Sequence, residues 1–129
     1  MTSDEQKNKN PARGYRDLLV WQKGMALARD VYQLTRSFPS EEKFGLVSQM
    51  RRAAVSIPSN IAEGQARKST GEFVQFISTA EGSLAELDTQ VQLSVDLGFS
   101  DPTHVARVSD AVTELKRMLN GLRRSLLKR

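Results

Sequence analysis

From Val105 to Leu126 the apolar residues Val105, Val108, Val112, Leu115, Leu119, Leu122 and Leu126 recur at steps of three and four without a break. An α-helix turns once in 3.6 residues, so this spacing puts all seven on one face, whereas a half-buried strand would alternate with period two. Such a stripe must be covered by another apolar surface. A second seam, Val47, Met50, Ala54, Ile57 and Ile61, keeps the same spacing straight through Pro58. A proline inside a helix removes a backbone hydrogen bond and costs roughly 3 kcal/mol or more when unsupported. A helix that keeps one is expected to be held by tertiary packing.

Two further segments carry helical stripes. In the first, Leu18, Trp21, Met25, Ala28 and Tyr32 form one stripe, and Leu27, Val31, Leu34 and Phe38 form its neighbour, which predicts a wide buried arc. In the third, Phe73, Ile77, Ala80, Leu84, Leu87 and Val91 form the seam, with Leu93 and Leu97 falling outside it. Punctuation supplies the boundaries. Pro39 ends the first helix, and Ser40 with Glu41 and Glu42 opens the second. Ser69 and Glu72 have capping-box spacing, Gly98 followed by Phe99 suits a helix end, and Asp101 before Pro102 suits a helix start. The helices are expected at about 18–37, 41–66, 69–97 and 102–127. Short connections favour antiparallel neighbours, so the fold class is all-α, an up-down-up-down four-helix bundle over 15–129. The polar stretch 1–14 lacks an apolar signal core and reads as a mobile tail. Gly24, Gly82 and Gly121, inside helices, are expected to permit close helix approach.

Several function classes find little support. The chain has no cysteine, hence no disulfide, thiolate nucleophile or cysteine-held metal. No apolar run reaches membrane-spanning length, and a cytoplasmic setting is the default expectation. His104, the only histidine, lies just after Asp101, where capping is the expected role rather than general-base work. There is no glycine-rich phosphate loop and no Glu-x-x-His pair. No catalytic residue, cofactor, metal or small-molecule substrate is expected.

Charge is segregated within a net charge of +4. Between 69 and 100 there are Glu72, Glu81, Glu86, Asp88 and Asp96 and no lysine or arginine, whereas seven bases face three acids from 101 onward. On the last helix Arg117, Arg124 and Lys128 share the face opposite the seam, and Lys116 and Arg123 lie along its edge. A seven-residue step spaces such cations about 10 Å apart, within reach of successive phosphates of RNA or DNA. The bland alternative is a solvated cationic face. Arg51 falls inside the apolar arc of the second helix, where a charge needs a partner; one of Glu81 and Asp88, flanking the third seam, is the expected one, a subunit interface or a ligand being the alternatives. Apolar residues outside the seams point to self-association, and the rival functional reading is a protein-only adaptor or assembly module.

The segments VWQK at 20–23, SQMRRAAVSIPSNIAEG at 48–64, EFVQF at 72–76 and GSLAELDTQ at 82–90 are the most specific parts of a resemblance that runs from about 18 to 99. They resemble the four-helix-bundle proteins encoded in 23S ribosomal RNA intervening sequences. That resemblance implies a cytosolic bundle, often assembled into a ring such as a pentamer, without established enzyme activity. A more distant bundle that accompanies reverse transcriptases looks like a basic nucleic-acid-binding ring, which suggests RNA binding by analogy. The polar stripe Ser56, Asn60, Glu63 and Arg67 overlaps the family motif around Asn60 and Gly64, and is expected to serve inter-helix hydrogen bonding and loop anchoring.

Overall fold

The computed structural model describes residues 14–128, so all but one residue of the expected tail 1–14 lies outside the described residues. Four helices appear: α1 (Leu19–Thr35), α2 (Leu46–Gln65), α3 (Thr70–Asp96) and α4 (Pro102–Leu127). Short 3-10 turns, Gly14–Asp17 and Ser40–Glu42, precede α1 and α2, and there is no strand among the described residues. Each helix packs against two others, α1 on α2 and α4, and α3 on α2 and α4, which makes a four-cornered bundle with no diagonal contacts. Thr35 near the end of α1 meets Arg51 near the start of α2, and Gly24 near the start of α1 meets Pro58 toward the end of α2, so these two run in opposite directions.

The seams meet in the centre. All five seam residues of α2 are buried, as are Ile77, Ala80, Leu84, Leu87 and Val91 of α3 and Val108, Val112, Leu115, Leu119 and Leu126 of α4. Phe73 and Val105, at the starts of their seams, and Leu122 are partly buried against this core. From α1 one stripe enters it in full, Leu27, Val31 and Leu34 being buried with Phe38 just beyond the helix, while Leu18 and Trp21 of the other only pack partly buried against it. The other stripe is a correction to the wide arc expected, since only Ala28 of it is buried and Tyr32 is 41% exposed. A corner position in a four-helix bundle touches two neighbours, which covers about one stripe.

Pro58 shows how α2 tolerates its missing hydrogen bond. The ring is buried, and a Cβ added at Gly24 would lie 3.4 Å from the Pro58 Cβ, so α1 approaches α2 closely at this point. Gly82 and Gly121 have nothing near a notional Cβ, contrary to the close approach expected of them. The tightest glycine is Gly64, where a Cβ would sit 2.6 Å from the Phe76 Cβ and 2.9 Å from Phe73 Cδ1. Here α2 and α3 come together before their connection.

The helix ends follow the sequence in three cases. Ser69 Oγ accepts from the Glu72 amide at 3.2 Å and donates to the Glu72 carboxylate at 3.0 Å. Asp101 accepts from the Thr103 and His104 amides at 2.8 and 3.1 Å. Gly98, at φ 77°, closes α3 in a Schellman motif, the Phe99 amide donating to Ser94 O and the Gly98 amide to Val95 O. Phe99 then packs on Phe38, 5.8 Å between ring centroids, which ties the α3–α4 connection to the α1–α2 connection. The start of α2 differs from expectation. Ser40 opens only a single 3-10 turn with no side-chain cap, and the helix proper begins at Leu46, whose amide donates to the Glu42 carboxylate at 3.2 Å.

Candidate nucleic-acid interface

The outer face of α4 places Arg117, Arg124 and Lys128 in solvent, with Lys116 exposed on the flank. None of the four makes an ion pair among the described residues. Arg123 behaves differently. It lies at the seam edge where the sequence placed it, but is ion-paired with Glu81 of α3, both side chains about three-quarters buried, and is thereby withdrawn from the cations available to an external phosphate. On the other flank of α4, Glu114 pairs with Lys23 of α1 at 3.2 Å.

Glu81 is therefore not the partner of Arg51. Arg51 Nε donates to Thr35 Oγ1 at 2.9 Å, and its guanidinium carbon lies 4.4 Å from the centroid of the Tyr32 ring, both on α1. Asp88 is exposed and without an ion pair among the described residues. The expected Arg51 pair thus turns toward the opposite neighbour. Glu81 lies on the side of α3 that faces α4, whereas Arg51 reaches from α2 to Thr35 and Tyr32 of α1.

The polar stripe of α2 is satisfied chiefly within its own helix. Ser56 Oγ donates to Ala53 O at 2.7 Å and Asn60 Nδ2 to Ser56 O at 2.7 Å, around the gap left by Pro58. Glu63 and Arg67 form an exposed pair at 4.0 Å. Only Arg67 reaches another helix, lying 4.9 Å from the Phe76 ring centroid, so inter-helix hydrogen bonding by this stripe is not observed. His104 Nδ1 lies 3.4 Å from Asp101. The two amides at the helix start, with the neighbouring imidazole, hold the Asp101 carboxyl below its ordinary value. No cluster of His, Asp or Glu suited to a metal occurs among the described residues.

Sequence reading missed a groove between α1 and α2. It has a volume of about 530 Å³ and is lined by Tyr15, Trp21, Met25, Tyr32, Val55 and Pro58 among others, with Arg29 and Arg36 as its charged residues. Tyr15 meets Trp21 edge-on at 5.3 Å. A wider depression shares Tyr32 and Val55 and continues over Arg51 and Arg52 to Gln90 of α3. The Gln90 carboxamide oxygen is buried and has no hydrogen-bond partner. The signal that could have found the groove was the second stripe of α1, which is more than one seam requires.

A family profile described as 23S rRNA-intervening sequence protein matches residues 16–121. Among solved structures, the chain is similar to a protein of unknown function from the S23 ribosomal protein family of Bacteroides thetaiotaomicron, with TM-score 0.75 and 20% identity over 82% of this chain and 96% of that one. No curated protein matches. The matched profile covers three helices and most of α4, and the structural likeness is one of fold.

Proposed function

The chain belongs to the 23S rRNA-intervening sequence protein family, and from that premise we propose that it is a non-enzymatic, self-associating cytoplasmic bundle that holds RNA or DNA by its phosphates on the outer face of α4. The observation that carries this reading is the trio Arg117, Arg124 and Lys128, exposed on one face and free of ion pairs with other described residues. Charges that pair within a protein contribute little field outside it, whereas unpaired ones remain available to an external anion. A seven-residue helical step of about 10 Å spans roughly three nucleotides of rise along one strand, so the cations meet separate phosphates. Copies of the chain in one assembly would repeat the face and multiply its hold on a long polymer. No described helix is long and apolar enough to cross a membrane.

Fluorescence anisotropy of labelled RNA and duplex DNA over a salt series tests the reading. Micromolar or tighter binding at low salt is expected, with log affinity falling linearly in log salt. Changing Arg117, Arg124 and Lys128 together to Ala should reduce that slope by about 2 to 3 on duplex DNA. Absence of binding at low salt would falsify the proposal.

A second reading, a protein-only assembly or adaptor module, is favoured by apolar side chains left in solvent, among them Phe44 at 89% and Leu97 at 52% exposure. Under that reading the partner contact survives high salt, because apolar burial is not screened.

A further inference from the structure

We propose that the groove between α1 and α2 is a second nucleic-acid site, which takes unpaired bases of a single strand on Tyr32 and Trp21 while Arg29 and Arg36 hold the adjacent phosphates. This inference rests on the phosphate-binding reading above and adds to it a preference for single strands. Three observations carry it. The first is the makeup of the groove: three aromatic rings, two arginines and no acid line it. Aromatic faces that accept any base, set among cations that follow the backbone, are the physical requirements for holding a single strand. An apolar peptide would match the rings and leave both arginines without counter-charge, whereas a duplex would match the arginines and keep its bases stacked inside.

The second observation is that Tyr32 is presented rather than buried. It is 41% exposed, and Arg51 lies 4.4 Å from its centroid while being anchored by Thr35. A ring held in place before binding gives up little rotational freedom when a base stacks on it. The third is the extension of the trough. A wider depression shares Tyr32 and Val55 with the groove and sets Lys43, Arg51 and Arg52 against one acid, Glu86, so cations remain in excess for a strand that continues past Tyr32.

The chain has one tryptophan, and it lies in this groove, which provides an internal reporter. Full-length protein is titrated with a short labelled single-stranded RNA and with a duplex DNA of the same sequence, reading oligonucleotide anisotropy and Trp21 emission together. The expected result is quenching of Trp21 by the single strand and not by the duplex. Tyr32→Ala should weaken single-strand binding about tenfold and Tyr32→Phe should restore it, with duplex affinity unchanged in both. Helical circular dichroism and the thermal midpoint of each variant confirm that it is folded. Trp21 emission unchanged at saturation, or Tyr32→Ala binding single strands as the unmodified chain does, overturns the groove site while leaving α4 binding intact. A triple Arg117, Arg124 and Lys128 to Ala variant that loses duplex binding but still shows single-strand quenching supports the groove as a separate site. Absence of any anisotropy change at low salt removes both readings together.

Discussion

Arg51 and Arg123 show how one charge arrangement can be anticipated in kind and mistaken in its wiring. A wheel of α3 places Glu81 and Asp88 beside the seam, but the flank of α3 that faces α2 depends on the hand of the bundle, which periodicity does not encode. In the structure Glu81 pairs with Arg123, and Arg51 is satisfied by Thr35 and Tyr32. A double-mutant cycle of Glu81→Gln with Arg123→Met should accordingly show coupling of about 1 kcal/mol or more, between the worth of exposed pairs and that of buried ones. The same cycle run with Glu81→Gln and Arg51→Met should be additive within about 0.5 kcal/mol. Urea denaturation of the single and double variants measures both, and coupling only in the second cycle would sink the assignment. At Gly64 the constraint is steric. Gly64→Ala drives a methyl group into Phe76 and Phe73, and should lower stability by about 1 to 3 kcal/mol in the same assay. In the sequence Gly64 stood out only as part of a family motif, because a close approach involves a second chain segment whose position local pattern cannot supply.

Among the elements, the ends of α3 and α4 were legible and the start of α2 was not. Ser69, Gly98 and Asp101 each work within a few residues of themselves, so their spacing contains the whole interaction. The 3-10 turn at Ser40–Glu42 precedes a new start at Leu46 capped by Glu42, although Ser40 offered the better local cap. The seams of α2, α3 and α4 were likewise legible, whereas the extra stripe of α1 was readable as apolar but not as groove, since each bundle helix meets only two neighbours. The cap of α4 makes a pH prediction. The Asp101 carboxyl titrates below its ordinary value of 3.8 in the folded chain, so the native state favours its charged form. Its stabilisation is fully present above the unfolded value and is lost as pH falls through the lowered folded value. Thermal midpoints recorded from about pH 6 to pH 2 should therefore fall more shallowly for Asp101→Ala than for the unmodified chain. Equal slopes would mean that the carboxylate does not cap α4 in solution. Gly82 and Gly121 offer the opposite sign. With nothing near either position, Gly82→Ala and Gly121→Ala should each stabilise by about 0.5 to 1 kcal/mol through helix propensity.

At the scale of the molecule, the charge-segregated chain spends only part of its charge internally. α3 gives Glu81 to α4, and α4 gives Glu114 to α1, while Arg117, Arg124 and Lys128 keep their charge outward. Apolar surface remains outside as well. Phe44 at the start of α2 and Leu93 and Leu97 at the end of α3 are exposed, and the contact of Phe38 with Phe99 puts the connections that flank them at one end of the bundle. The two kinds of surface respond differently to salt, which makes assembly and nucleic-acid binding separable in one protein. Sedimentation velocity should show a species larger than one chain, unchanged in size as salt rises from about 50 mM to 500 mM, over a range in which phosphate contacts lose several orders of magnitude in affinity. Changing Phe44 and Leu97 together to Ser should return the protein to single chains with its helical signal intact, since neither side chain belongs to the core. Nucleic-acid affinity should then fall with it, because a long polymer would meet one α4 face at a time instead of several held at high local concentration. An assembly that dissolves in salt would place the contact on charged surface instead, and one that survives both serines would place it away from the apolar end of the bundle.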